Sequence, residues 1–538
     1  MVVDARNNAL PRRERLDLLV GGLKIPVEKD VPDEYLKAAA GRLGIDVNDV
    51  KLIEILAKAL DTGDPGQFYY ELTLAAGVPD SFENKDNLPL YTPRPRIAAK
   101  PTKMNFRPIV IGFGPAGMFA SLELLERGLK PLIFERGRMM EKRNADILKF
   151  IKERKLDSES NIQFGEGGAG AYSDGKLFSR ANNSVYADKV LETFVKFGAP
   201  PEILYAAKPH LGTDVLTRIT VNIRNHILKA GGEIYFGSKM TGLIVKKGRV
   251  DGVLINGENA FHSSYVYLAV GHSARDTFEM LHGAGVEMEQ KPVSVGVRIE
   301  HPAAVINLIR YGEKYKAFEG LGAALYSFNH TDRSAGRGVY TFCMCPGGEI
   351  VNASSENGLL AVNGMSYHSR SSVFSNSALA VTCHTSDYGS DEPLAGIEFQ
   401  RNIERKAFEA GGGAWKAPAQ NLVDFLEGRA SRQLIPSSFR MGLEPADISA
   451  VLPEFAVTML KNAFAAWKKD YPLFVSEQAL LIAAETRTSC PVRIKRDDKY
   501  GSVSVKGLCP IGEGAGFAGG ITSSAADAIK AVEASLPF

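Results

Sequence analysis

Apolar and polar positions change rhythm several times along this chain, and each change marks an element. LDLLVGGLKIPV reads as a strand, DEYLKAAAGRLG as a helix closed by Gly44, and QFYYELTLAA as a strand rich in aromatic and apolar residues. KLIEILAKALD is an apolar run suited to a strand, although so short a stretch fits a helix as well. Together they predict a small β-α-β-β module over residues 1–78. From 79 to 107 prolines recur in SFENKDNLPLYTPRPRIAAKPTKMNFR; they cannot donate to a ladder and favour an extended linker. Residues 108–285 alternate strand and helix. Short strand-like runs rich in Gly, Ser and Asn fill about 290 to 390, and the pattern from about 395 to 470 is helical. Residues 481–538 end as strand, glycine loop and helix.

Composition narrows the class without naming a partner. A chain of 538 residues exceeds what one core usually supports. With 45% hydrophobic and 23% charged residues, and no apolar run near the roughly 18 a span needs, it reads as soluble, with no membrane association. Charges scattered through MVVDARNNALPRRERLDLLV argue against an export signal, and five cysteines form no disulfide framework. Both point to the cytoplasm. A net charge of +2 predicts no nucleic-acid partner.

The candidate chemistry begins in RPIVIGFGPAGMFASLELLERGLKPLIFERG. An apolar strand from Pro108 to Ile111 leads into GFGPAG, where Gly112 makes the tight turn, Gly114 lets backbone approach a pyrophosphate, and Gly117 allows close helix packing. Pro115 and Ala116 open the helix whose N-terminal dipole stabilises the anion. A second strand ends in Glu135, suited to ribose hydroxyls, with Arg136 beside it. This dinucleotide-binding unit does not by itself choose between NAD and FAD.

The far end supplies the choice. GLCPIGEGAGFAGGITSSAADAIKAV is a second strand, glycine loop and helix, and the split pair resembles the FAD site of enzymes of the glutathione-reductase and p-hydroxybenzoate-hydroxylase type. That resemblance implies non-covalent FAD, with Gly512 in the C-terminal loop, Glu513 on the ribitol, and Gly520, Ile521 and Thr522 opening a helix aimed at the flavin. It further implies that FGEGGAGAYSDGKLFSR flanks the ring through Gly167, Gly168, Ala169 and Lys176, that Met240 gives main-chain contacts to adenine, and that Gly271 lies under the cofactor. Ser273 and Asp276 read as a capping box. With GFGPAGMFAS, FGEGGAGAYSDGKLF, LAVGHSARDTFEML, FCMCPGGEIVNASSE, NGMSYHSRSS, ETRTSCPVRI and IGEGAGFAGGITSSAADA in place, the chain is similar to a largely uncharacterised family of bacterial FAD-dependent dehydrogenases. The fold class expected is α/β: a Rossmann-like FAD-binding domain split between 108–285 and 481–538, an inserted α+β substrate domain over 286–480, and the N-terminal module.

Candidates for the reaction come from the insertion. Tyr367, His368 and Arg370 lie together in SYHSRSS, offering a proton shuttle and a carboxylate clamp. Arg487 and Arg493 in ETRTSCPVRI are further anion binders, or partners of Glu485 or Asp497. Cys343 and Cys345, two apart on an expected strand, share a face and are either redox-active or small buried hydrophobes. No second glycine fingerprint with a trailing acid appears, so a nicotinamide donor would have to visit the flavin pocket transiently. The expected activity is hydride transfer between FAD and a small, anionic organic substrate. Flavin monooxygenation is the near alternative, and an FAD-containing RNA-modification or binding protein the distant one. The N-terminal module would then recruit a macromolecule, but Lys37 and Arg42 alone make no basic patch.

Overall fold

A computed structural model describes residues 15–97, 99–102, 104, 106–177 and 184–536. The start of the chain and the last residues of the expected flavin-flanking loop, Phe178 to Arg180, lie outside them. The chain divides into two compact units: residues 1–96 with 201–209 and 318–321, and the remainder.

In the first unit, strands Arg15–Pro26, Lys51–Asp61 and Tyr69–Pro79 form an antiparallel sheet with the third in the middle. The ambiguous KLIEILAKALD is therefore a strand. It has no room to choose helix once its backbone pairs with Tyr69–Pro79. Helix Pro32–Leu43 covers one face over Leu18, Val20, Tyr35, Ala39, Leu72 and Leu74, and Gly44 ends it at φ +70°. Part of the proline-rich segment joins this unit: the Leu19 amide donates to the Pro89 carbonyl and the Tyr91 amide to the Asp17 carbonyl, at 2.8 and 2.9 Å. Residues 201–209 add to the outer edge, where the Lys58 amide donates to Tyr205.

Two large sheets, with three small ones beside them, organise the second unit. One is parallel throughout, in the order Leu508–Pro510, Val266–Leu268, Ile109–Ile111, Leu132–Glu135, Glu233–Phe236. Its three inner strands and the C-terminal one are almost wholly buried, as a parallel sheet covered on both faces requires. The strand at 508–510, some 400 residues from the first glycine loop, thus completes the same sheet. Helices Pro115–Glu126 and Ile521–Ser535 pack side by side above it.

The other sheet has seven strands, in the order Asn329–Asp332, Arg337–Cys345, Phe374–Cys383, Val293–Pro302, Leu480–Glu485, Ala417–Asn421, Leu443–Pro445. Only the last pair is parallel. The region expected to be helical from 395 to 470 contains helices Ala395–Ala410 and Glu454–Asp470, but two of these strands lie between them. Pairing of Ala417–Asn421 with the buried Leu480–Glu485 overrides the local pattern. No helix among the described residues is long and apolar enough to cross a membrane.

Candidate functional site

The site starts where the first buried strand turns into its helix. Gly112 sits at φ +96°, and a Cβ there would lie 2.3 Å from the Ala269 carbonyl oxygen. A Cβ on Gly117 would lie 1.9 Å from the Gly112 carbonyl oxygen, so both positions exclude a side chain. Gly114 is different: its nearest neighbour is Gly168 Cα at 3.5 Å, which leaves a bare backbone surface at the helix start beside Pro115 and Ala116. Gly167 donates to the Phe113 carbonyl at 2.9 Å, which lays the second glycine segment, Gly165 to Gly168, across the first. Ala169 follows in a short 3-10 turn to Tyr172.

Glu135 ends the neighbouring strand and is buried. Its carboxylate accepts from the amides of Phe113 at 2.7 Å, Gly137 at 2.9 Å and Gly165 at 3.0 Å, leaving about one of its four acceptor positions open. Arg136 forks onto Asp276 at 2.9 and 3.0 Å, pairs with Glu159, and lies over the Phe164 ring at 3.9 Å. Burial would raise the Asp276 carboxyl, but Arg136 and Lys239 hold it down at about 2. Asp276 is thus bound to these cations and, within its own helix, accepts only the adjacent Thr277 amide at 2.9 Å. Ser273 donates instead to Gln163, and the helix Arg275–Gly283 starts from Ala274 without a side-chain cap, so the expected capping box is absent. Arg136, Arg138, Lys239, Thr241 and Asn256 line an open cleft beside this point, and the buried Met240 begins the adjoining strand.

The C-terminal loop closes onto the same place. Gly512, at φ +72°, would put a Cβ 2.6 Å from that of Ala116, so the two glycine loops touch. Gly514 and Gly271 approach equally closely, a Cβ on Gly514 meeting the Gly271 carbonyl at 2.7 Å. Gly520 caps the helix Ile521–Ser535, Ile521 lies 3.1 Å from where Gly170 would carry a Cβ, and Thr522 donates to the Leu177 carbonyl at 2.7 Å. Glu513 is half-buried, and its carboxylate accepts no hydrogen bond from the described residues. Burial pushes it up to about 7 against the pull of Lys291. Two helix N-termini, a side-chain-free cradle, a ribose-suited acid and a second acid with open acceptors are the donors and acceptors that a flavin dinucleotide requires.

Just before Leu177 the loop carries Asp174 and Lys176 into a buried charge cluster. Asp174 takes both Lys176, at 2.9 Å, and a forked Arg370, at 3.0 and 2.6 Å. These two cations outweigh burial and hold it at about 2. Lys176 also donates to the Met344 carbonyl. Of the expected reaction residues, Arg370 is therefore committed to Asp174. Tyr367 is 44% exposed, and His368 stacks on His210 at 5.2 Å while its amide donates to Asp214. Arg487 pairs with neither Glu485 nor Asp497. It shares the fully buried Glu404 with Arg275, at 3.1 and 2.8 Å, and Glu485 belongs to Arg298 at 2.7 Å. Arg493 pairs with Glu289 at 3.0 Å. The sequence reading missed Asp174, His272 and Lys291. His272 is held neutral, its pKa lowered to about 3 by burial and then by Arg487 and Arg275. The half-buried Lys291 ammonium pairs with no described residue within 4 Å, and its pull is felt by Glu513, His272 and Cys490. Asp174 and His272 stand beside residues already singled out, in YSDGK and VGHS; nothing local marks Lys291.

Residues 292–488 match the family model described as "FAD-dependent protein, C-terminal domain-like". An uncharacterized protein of Clostridium beijerinckii is 46% identical over 429 residues, 79% of this chain and 80% of that one. Among solved structures, a geranylgeranyl bacteriochlorophyll reductase-like protein of Thermoplasma acidophilum matches with TM-score 0.33 and 13% identity, over 79% of this chain and 77% of the other. CtdE in complex with FAD matches with TM-score 0.30 and 12% identity, over 80% and 83%.

Proposed function

Since the chain belongs to the family of FAD-dependent proteins, we propose that it is a flavin oxidoreductase of the dehydrogenase or reductase kind, passing hydride between non-covalently bound FAD and a small, anionic organic substrate. The observation that carries this is the meeting of the two glycine loops, Gly112–Gly117 and Gly512–Gly520, at the edge of one parallel sheet. FAD bound there would supply hydride-transfer chemistry.

The chain's own residues divide the remaining work. The first glycine loop and the start of Pro115–Glu126 hold the pyrophosphate, Glu135 the ribose, and Glu513 the ribitol. The N-terminus of Ile521–Ser535 would present positive potential to a flavin bound there. Arg370 and Arg487 are bound in internal ion pairs, so the substrate's negative charge falls to Lys291. A nicotinamide entering the same pocket serves as donor. We assign the N-terminal module a protein-docking role separate from this chemistry, and the cytoplasm as its setting.

Purified protein should be yellow, with the spectrum of oxidised flavin, and should bleach anaerobically on adding its electron donor, NADH and NADPH being the first to try. A colourless protein that takes up no FAD on reconstitution overturns the proposal. Lys291→Met should raise KM for the substrate about tenfold or more with kcat little changed, the mark of a lost binding charge.

A further inference from the structure

The five cysteines fall into two unlike groups. Cys383, Cys490 and Cys509 are buried, and burial pushes each thiol up to about 12. They behave as small apolar side chains. Cys343 and Cys345 stand in a charged setting: Lys176 donates to the carbonyl of the intervening Met344, and Arg298 donates to the Cys343 carbonyl at 3.0 Å while lying 4.0 Å from Cys345 Sγ.

The backbone that carries them is irregular. Register slips between Phe342 and Cys345 where Arg337–Cys345 pairs with Phe374–Cys383, and Cys343 takes φ +44°, a left-handed conformation uncommon for a side-chain-bearing residue. A bulge of this kind re-aims side chains, and the simple shared face of an i, i+2 pair does not apply. Cys345 Sγ instead folds back to 3.3 Å from the Cys343 carbonyl. The pair is also unequal: Cys343 is half-buried and Cys345 fully buried. The neighbouring Cys345 thiol, with Lys176 and Arg298 behind it, draws Cys343 well below the usual thiol range while Cys345 is pushed up. An accessible thiolate backed by a protonated thiol is the arrangement of an attacking and a resolving sulfur.

Position ties the pair to the cofactor cleft. Lys176 precedes Leu177, whose carbonyl receives the Thr522 hydroxyl in the first turn of the C-terminal helix. The charge of Cys343 is felt at Glu513 in the C-terminal loop.

From this cluster we infer that Cys343 and Cys345 are a two-electron dithiol/disulfide couple that exchanges electrons with the bound flavin. The inference rests on the FAD reading above. In the oxidising direction the Cys343 thiolate and the Cys345 thiol together lose two electrons and the one proton on Cys345 as the S–S bond forms, and oxidised flavin takes up the two electrons and that proton. The reverse reaction breaks the S–S bond and returns the thiolate and the thiol. Lys176 and Arg298 are positioning residues: their charge favours the Cys343 thiolate in either direction.

The test uses the full-length, air-oxidised holoprotein. Anaerobic titration with dithionite should consume about four electrons per flavin, two for the cofactor and two for the disulfide, and only about two in Cys343→Ser; Cys383→Ser should keep the wild-type count. Independently of any variant, acid-quenched oxidised protein should show Cys343 and Cys345 blocked to iodoacetamide, and both should alkylate after reduction. Yellow protein that takes about two electrons with both thiols free overturns the couple and leaves the flavin reading intact. Protein that binds no flavin, shown by its missing visible spectrum, overturns both.

Discussion

Glu135 and Glu513 serve the two ends of one cleft in opposite circumstances. Glu135 is buried among three backbone amides, one from each of the two glycine segments and one from its own following turn, so its negative charge is paid for by the fold itself. Glu513 has no such donors among the described residues and is pushed up to about 7 by burial. The first half of the site is therefore finished before any ligand arrives, and the second is left for the ligand to complete. Preorganisation on one side fixes where a dinucleotide docks. The unfulfilled acid on the other makes the protein's electrostatics respond to docking.

The largest effect should come from breaking the finished half. Glu135→Ala strands the amides of Phe113, Gly137 and Gly165 in a dry interior, at about 1–3 kcal/mol for a buried unsatisfied group. Urea unfolding should show a loss of about 3 kcal/mol or more, together with loss of FAD retention. Next comes Gly117→Ala, whose methyl would stand 1.9 Å from the Gly112 carbonyl oxygen and force the turn and helix apart. Overpacking of this kind costs about 1–3 kcal/mol. Gly114→Ala is the matched control, because its methyl meets nothing closer than 3.5 Å: the apoprotein should keep its stability while FAD affinity drops. Equal destabilisation by both would mean that the cradle is not shaped for a ligand.

The unfinished half is tested by pH. Glu513 has an ordinary pKa of 4.5 when unfolded and about 7 when folded. Below pH 4.5 both states carry the proton. Between 4.5 and 7 the folded state keeps a proton that the unfolded state has released, so apoprotein stability falls as pH rises, and above 7 the loss is constant. The fall attributable to this group should be about 3 kcal/mol. Glu513→Gln should flatten that part of the profile. Saturating FAD should also flatten it, since a ribitol hydroxyl donating to the carboxylate favours its ionised form. A profile indifferent to both would remove Glu513 from the site.

How much of this could be read from the chain follows the range over which each feature is encoded. The glycine loops, their strands and helices, and Glu135 were legible because turn sterics and helix starts are local. That the C-terminal strand, glycine loop and helix belong with the first glycine loop was inferred only through resemblance, and the pairing of 508–510 with 266–268 was not foreseen, since nothing local joins segments so far apart. Ion-pair partners were the least legible. Arg487 offers sequence neighbours Glu485 and Asp497, yet it finds Glu404 on the helix Ala395–Ala410, because burial of two arginines requires an acid that both can reach. The helical expectation across 395–470 failed for a related reason: strand Ala417–Asn421 exists through its partner Leu480–Glu485, which periodicity cannot see.

Thr522→Val should give the smallest effect and the finest test of how the two halves are joined. The C-terminal helix begins at Gly520 with no side-chain cap, so its first turn is fastened by the Thr522 hydroxyl to the Leu177 carbonyl. Valine keeps the branched shape and χ1 preference, so the substitution removes only the hydrogen bond and leaves a carbonyl unpaired. Stability should fall by about 1 kcal/mol. If that bond also holds the helix N-terminus against the cofactor, FAD should dissociate about fivefold faster, read as recovery of free-flavin fluorescence after dilution. A stability loss of that size with unchanged dissociation would place Thr522 in the scaffold alone. The first glycine loop would then hold the cofactor without help from the helix.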